Sequence, residues 1–284
     1  MKKVKGLVIN AKSSFFKCLL EDKSEIICRA SKKLTLNKNE IITGDLVIID
    51  LDKNYIIEQL PRNNELIRPK VSNIDEAVLI FSATQPRLSY KLLDKLIALM
   101  EINEIKSNIV ITKMDLLTNE EQEELKSNLK YYEKIGYCVL YKNEQLAEIK
   151  DKLKDKKYLF TGQSGVGKST LINELIPSLE IKTQEISKAL NRGKHTTREL
   201  TFYSYNNGFI VDTPGFSALN LNFDKQIIRD SYVDFQPYNE FCYYKTCMHV
   251  NEPKCGVKEA INQNDGLKKR YENYINILKE QNDN

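Results

Sequence analysis

No stretch of this 284-residue sequence comes near the ~20 consecutive apolar residues that a membrane-crossing helix requires, so no membrane partner is expected. The opening MKKVKGLVINAKSS is basic, yet Asn10 and Lys12 cut its apolar stretch short, and it does not read as a secretory signal. Internal repeats and low-complexity tracts are missing too, which argues against a repeat architecture. Histidine is scarce, with two residues in all. A cytoplasmic location is expected, and there the six cysteines read as thiols or metal ligands rather than disulfides.

What is present is ordinary in bulk and uneven in detail. The chain is 41% hydrophobic and 29% charged, and its length suits two or three domains. Residues 1–40 hold ten Lys/Arg against four Asp/Glu, a net +6, which leaves −2 for the other 244. A basic N-terminal module suggests a polyanion partner, and a solvated basic face accounts for the same charge.

Residues 1 to about 65 run in short alternating segments: VKGLVIN, FFKCLL, EIICRA, GDLVIID and NYIIEQL. Polar turns separate them and no helical period appears, which predicts a small barrel or sandwich; five strands fit the OB-fold, a common nucleic-acid-binding barrel. PRNNELIRPKVSN (61–73) reads as a Pro/Asn-rich linker. From Asp75 the pattern changes to EAVLIFSA, a buried-strand run, followed by the pairs Leu92/Leu93, Leu96/Ile97 and Leu99/Met100 at helical spacing. Strand NIVIT (108–112), helix 119–135, strand GYCVLY (136–141), helix 144–154, strand KYLF and a helix from Lys168 follow. Such alternation gives a parallel sheet with helices on both faces. ELTFYSYNNGFIVDTPG is expected to form a hairpin turning at Asn207-Gly208. Beyond about Leu221 the chain is polar and rich in Tyr and Cys, and it closes with a helix, GLKKRYENYINILKEQ.

TGQSGVGKST (161–170) fits G-x-x-x-x-G-K-[ST] through Gly162, Gly167, Lys168 and Ser169. A Gly-rich loop between strand and helix offers backbone N–H groups and a helix N-terminus to phosphate. Gln163, Ser164, Gly165, Val166 and Thr170 complete the cradle; Lys168 reaches the β- and γ-phosphates, and Ser169 can ligate Mg²⁺. The competing reading is a chance match on a glycine-rich turn. DTPG (212–215) follows the apolar strand GFIV, which places Asp212 to hold Mg²⁺ through water and Gly215 to offer its N–H to a γ-phosphate. A plain Pro-Gly turn is the alternative there. ITKMDL (111–116) matches [NT]-K-x-D: Asp115 can accept from guanine N1–H and the 2-amino group, and the Lys113 stem can lie along the base. A helix-entry turn would explain it equally, but it ends a strand of the same sheet, where ligands gather whatever the sequence order. The guanine element then precedes the phosphate loop, and the domain is circularly permuted.

Cys242-x4-Cys247-x-His249-x5-Cys255 puts three thiols and an imidazole within 14 residues. This set suits tetrahedral Zn²⁺ with no open position, hence a structural role; free thiols in a small domain are the alternative. Cys18, Cys28 and Cys138 lie in apolar strands and read as core residues.

Taken together, a barrel, then T-K-x-D, then the phosphate loop, then DTPG, then the Cys/His cluster, the chain resembles the ribosome small-subunit-dependent GTPase A (RsgA) family over essentially its whole length. The resemblance implies a multidomain α/β protein. Its parts are an OB-fold RNA-binding domain (1–66), a circularly permuted GTPase domain (67–220) and a zinc-binding domain with a C-terminal helix (221–284). It implies hydrolysis of GTP to GDP and phosphate, stimulated by the 30S subunit and its 16S rRNA during late maturation, by a monomer with no DNA partner. Two departures stand out. Thr112 replaces the commoner Asn, and the Ser-Ala element usual after strand GYCVL is replaced by Tyr141-Lys142-Asn143.

The first switch falls in RGKHTTREL (192–200), where Thr196 or Thr197 can give Mg²⁺ a hydroxyl; the family pattern favours Thr196. Ras-type enzymes orient water with a Gln after the second switch glycine. Phe216 stands there and cannot do so, and the nearby His195 is the catalytic candidate, in agreement with the family pattern. A switch-loop His that touches RNA or only solvent is the other reading. A catalytic group on a loop predicts slow turnover alone and activation by a partner that orders it. Two further readings remain: a GTP-gated rRNA-binding module with negligible hydrolysis, and an ATP-dependent P-loop kinase.

Overall fold

The alternation in FFKCLL becomes a strand with Phe16 and Cys18 turned inward and Phe15 and Lys17 outward, and its neighbours follow the same rule. The computed structural model describes residues 2–32, 34, 40–179, 181, 200–215 and 221–281. Five strands form a closed barrel: β1 (Lys3–Lys12), β2 (Phe15–Leu20), β3 (Glu25–Ala30), β4 (Leu46–Asp50) and β5 (Tyr55–Gln59), in the order β1-β2-β3-β5-β4. Antiparallel pairing of β1 with β4 closes it, and β3 and β5 run parallel. Val8, Phe16, Cys18, Cys28, Val47, Ile49 and Ile56 fill the interior, so two of the three strand cysteines are core residues.

The segment expected as a linker is ordered. β6 (Glu65–Leu66) and β7 (Val71–Ser72) pair antiparallel, and Leu66 and Val71 are buried. Its anchor is Asp45, a buried carboxylate that accepts from Arg62 Nε (2.7 Å), Ser72 Oγ (2.6 Å), Gln59 Nε2 (2.7 Å) and Ile42 N (2.9 Å). A buried charge persists only when paired and hydrogen-bonded, and here Arg62 and Ser72 of this segment are among the partners. Asn63 N and Ile74 N also donate to the side chains of Asn73 and Asn64. The asparagines that look like loop residues are structural acceptors.

The chain divides into two compact units, one of Met1–Glu76, Leu153–Phe160 and Gly193–Pro214, the other of Ala77–Lys152, Thr161–Arg192 and Gly215–Asn284. In the second, β8 (Glu76–Ser82) is buried at every position, as a strand covered on both faces should be. α1 (Tyr90–Ile102) follows, capped by Ser89, whose hydroxyl accepts from Leu92 N at 3.3 Å. β9 (Lys106–Thr112) lies between β8 and β10 (Cys138–Tyr141), and β10 runs parallel to it. Cys138 at the start of β10 is half-buried rather than core. α2 (Asn119–Lys134) opens with a capping box of Thr118 and Glu121, and α3 (Lys142–Lys152) follows β10 directly.

β11 (Lys157–Gly162) pairs parallel with β13 (Gly208–Asp212), which pairs antiparallel with β12 (Thr201–Tyr205). The hairpin is present, but it turns at Asn206-Asn207, with φ of +43° and +60°, while Gly208 is already in register with Tyr205. Both positions of a two-residue turn of this kind need positive φ, and asparagine tolerates it better than other side chains. After the phosphate loop comes α4 (Lys168–Leu175), and the C-terminal part adds α5 (Lys225–Asp230), α6 (Gly256–Ala260) and α7 (Asp265–Glu280). Leu267, Tyr274, Ile277 and Leu278 are the buried apolar side chains of α7. Among the described residues, no helix is long and apolar enough to cross a membrane.

Candidate nucleotide site and metal cluster

β9 ends at Thr112, whose Oγ1 donates to the Val166 carbonyl at 2.5 Å, from 54 residues upstream, and lies 3.2 Å from the Phe81 carbonyl. Lys113 then adopts a left-handed conformation, φ +59°, which costs a non-glycine residue energy unless surrounding contacts offset it. Its ammonium supplies them by donating to the carbonyls of Gln85 (2.5 Å) and Gly165 (2.8 Å). Two side chains of the guanine motif thus fasten it to the phosphate loop. A short 3₁₀ turn, Met114–Leu116, follows and sets the Asp115 carboxylate at the surface.

The loop itself is shaped by close approach and by positive φ. At Gly162 a Cβ would lie 2.2 Å from the Ile80 carbonyl oxygen, so no side chain fits. Gly165 and Gly167 have φ of +84° and +91°. Val166 is buried beneath the loop, Ser164 and Gly165 are exposed on it, and Gln163 is half-buried. α4 starts at Lys168 with Gly167 as its N-cap and is held by buried Leu171, Ile172 and Leu175. Lys168 and Ser169 are half-buried and Thr170 exposed in its first turn, where unpaired N–H groups and the helix dipole favour an anion. Gly215 belongs to the same unit, and a Cβ on it would sit 2.9 Å from the backbone of Ser164, so this glycine lies against the loop. Asp212 ends β13 in the other unit, in register with Phe160, and next to it Thr213 Oγ1 donates to the Phe160 carbonyl at 2.9 Å. His195, Thr196, Thr197 and Phe216 lie outside the described residues.

One contact at the guanine motif was not legible in the sequence. Asn143 Nδ2 donates to Asp115 Oδ1 at 2.8 Å. A second unforeseen feature is Arg270, fully buried between Asp94 and Asp234. A charged residue within the apolar stripe Leu267, Tyr274, Ile277 was the available signal for it.

Cys242, Cys247, His249 and Cys255 come together with their ligand atoms within 4.8 Å of one another. Cys242 Sγ lies 3.9 Å from Cys255 Sγ and 3.7 Å from His249 Nδ1, and that nitrogen is 3.3 Å from Cys255 Sγ. A tetrahedron with Zn–S bonds of roughly 2.3 Å has edges of about 3.8 Å, so the spacing suits one metal ion at its centre. Nδ1 is the ring atom that faces the sulfurs, and Nε2 is buried without a hydrogen-bond partner among the described residues. Burial holds the imidazole down at about 4, neutral and able to offer a lone pair, and pushes the Cys247 thiol up to about 12. Clustered thiols of that kind ionise when a cation joins them. Tyr271 and Tyr274 on α7 donate to the carbonyls of His249 (2.7 Å) and Met248 (2.8 Å), and Glu252 accepts from Met248 N and Val250 N.

A phosphate loop fastened to a guanine element that precedes it defines the class: a circularly permuted GTP hydrolase. Comparison with known proteins makes it particular. The RsgA GTPase family model matches residues 59–222. The small ribosomal subunit biogenesis GTPase RsgA of Latilactobacillus sakei subsp. sakei (strain 23K) is 40% identical, covering 97% of this chain and 95% of that protein. The crystal structure of YloQ, a circularly permuted GTPase, aligns with a TM-score of 0.81 at 34% identity, over 99% of this chain and 96% of that one. YjeQ from Thermotoga maritima gives 0.82 at 29% identity, over 99% of both chains. The chain belongs to the RsgA GTPase family.

Proposed function

We propose that this GTPase acts on the small ribosomal subunit during its maturation and that contact with the 30S particle accelerates its hydrolysis of GTP. The observation that supports the reading is the pair of bonds from Thr112 and Lys113 into the Gly-rich loop, which join two motifs that stand in reversed order. Thr112, Lys113 and Asp115 hold guanine; residues 162–170 hold the phosphates. Ser169, Thr196 or Thr197 (the family pattern favours Thr196) and, through water, Asp212 would hold Mg²⁺, and Gly215 would offer its N–H to the γ-phosphate. His195 orients the attacking water. The work is divided among residues 1–66, 67–220 and 221–284, in a cytoplasmic monomer.

The barrel supports an RNA partner. Phe15, Ile27 and Tyr55 are exposed on β2, β3 and β5, and the Arg29 guanidinium lies 4.7 Å from the centre of the Phe15 ring. A cavity of about 660 Å³ beside them is lined by Ser13, Ser14, Lys32 and Lys70 among others. Rings that stack on bases, next to cations that meet phosphates, are how OB barrels hold single strands on this face. Turnover is expected to be slow alone and raised by 30S particles. His195→Ala should lose the raised rate and keep binding, and the GTP-analogue form should bind 30S more tightly than the GDP form, less so as salt rises. Equal 30S affinity of both forms with no stimulation would overturn the reading.

The Cys/His cluster is proposed to hold one Zn²⁺ as a structural ion. Purified protein should carry one zinc per chain, and Cys247→Ser should lower occupancy and loosen residues beyond about 221 in hydrogen exchange while GTP binding survives. Full zinc content in a variant lacking Cys242, Cys247 and Cys255 together would refute the assignment.

A further inference from the structure

Tyr141-Lys142-Asn143 stands at the end of the strand beside the T-K-x-D motif, and the structure shows how this turn is held. β10 ends at Tyr141 and the chain turns directly into α3, and this turn is fastened on three sides. Lys142 donates to Glu174 Oε1 on α4, the helix behind the phosphate loop, at 2.6 Å. Lys126 on α2 donates to Glu144 Oε1 at 2.8 Å. Tyr141 N donates to Gln145 Oε1 at 2.8 Å, and Gln145 leaves helical geometry to accept it, with φ −125° and ψ 29°. Between these tethered neighbours sits Asn143, its amide 2.8 Å from Asp115 Oδ1. Asn143 and Asp115 are both exposed, so no packing demand explains their bond.

We propose that Asn143 is a positioning residue for guanine, acting through Asp115; the inference rests on the guanine reading of the T-K-x-D motif. A carboxylate has about four lone-pair sites, and guanine needs two in one plane, for N1–H and the 2-amino group. The Asn143 donor takes a third from the α3 side and fixes the rotation of the carboxyl group, leaving the pair toward the base free. A carboxylate held in this way is ready for two parallel bonds, and the ordering cost is met before the nucleotide arrives.

The test is equilibrium binding of GTP analogue, GDP and ITP to the full chain, with single-turnover hydrolysis at saturating GTP. Asn143→Ala should weaken GTP analogue and GDP alike by about tenfold, the scale of one hydrogen bond to a charged group. ITP lacks the 2-amino group and should lose less, so the GTP-to-ITP preference narrows. The loss should fall on Kd and not on the saturated single-turnover rate, since base contacts are the same before and during phosphoryl transfer. Asn143→Asp, the same size with the donor turned into a second carboxylate, should lose more than Asn143→Ala. Asn143→Ala with unchanged GTP affinity and an unchanged GTP-to-ITP ratio overturns the inference, and so does an equal loss for GTP and ITP accompanied by a slower saturated rate. Asp115→Asn separates the two levels. If it weakens GTP while Asn143→Ala does not, the role of Asn143 alone fails; if it leaves GTP unaffected, the guanine reading fails first.

Discussion

Asp115→Asn is expected to lower GTP affinity by about 100-fold or more and to raise affinity for XTP. The carboxylate only accepts hydrogen bonds, and the guanine edge that the proposed site sets against it offers two donors, N1–H and the 2-amino group. An amide there sets one N–H against another and leaves polar groups without partners once the base covers them. Sites built on such bonds reject a mismatched edge by factors of ~10⁴ or more, and about 100-fold allows for the exposed setting of Asp115 before nucleotide binds. Xanthine carries an oxo group at position 2 and meets the new amide donor. The surrounding turn should not shift, because Lys113 remains tied to Gln85 and Gly165. Competition of GTP, XTP and ITP against a fluorescent GDP decides it; unchanged GTP and XTP affinities would remove Asp115 from the base site.

Arg270→Met should cost about 3–5 kcal/mol of stability, the range for removing one partner of a buried ion pair. Arg270 is 2% exposed and donates to Asp94 and to Asp234, at 2.9 Å from Nε and 3.1 Å from Nη2 to the latter. Asp94 also accepts from Tyr132 Oη (3.0 Å) and Asn273 Nδ2 (2.6 Å). Burial still lifts its carboxyl to about 6, against the downward pull of Arg270, Asn273 and Tyr132. A folded value above the unfolded one means that the native state binds the proton more readily. The group's contribution to stability therefore falls as pH rises from about 4 to about 6 and stays lost above that. Methionine at 270 removes the cation and raises the value further, so the gap between variant and wild type should widen from pH 5.5 to pH 8. Denaturant midpoints at both pH values measure this. A midpoint within error of wild type at pH 8 would show that the triad adds nothing, and replacing Asp94 and Asp234 with apolar residues alongside Arg270→Met should recover much of the loss.

The shape of the Gly-rich loop was legible because it tolerates few residue types: Gly162 has no room for a side chain, and Gly167 needs a backbone conformation that side chains resist. The barrel was legible because alternation in FFKCLL has one reading when a closed wall has an inside. Where several residues share a conformational talent, the sequence misled. Asn206 and Asn207 make the hairpin turn and Gly208 lies beyond it, although Asn-Gly is the commoner turn pair. PRNNELIRPKVSN has loop composition yet is ordered around a short two-stranded pairing, because Asp45, upstream, gathers donors from Arg62 and Ser72. The same distance hid Arg270 and Asn143: each is explained by a partner that only the fold brings near.

The Arg270–Asp94 pair joins residues 176 positions apart, and that span has a meaning in time. Synthesis runs from the N-terminus, and domains begin to fold as they emerge. α1 leaves the exit tunnel carrying Asp94 long before its guanidinium exists, and a carboxylate without a counter-charge resists burial. The surface of α1 that α7 covers therefore stays wet until α7 has been made. A chain that stops short of α7 keeps that surface open. α7 thus supplies the charge that lets this surface of α1 close, and without it Asp94 lacks its cation.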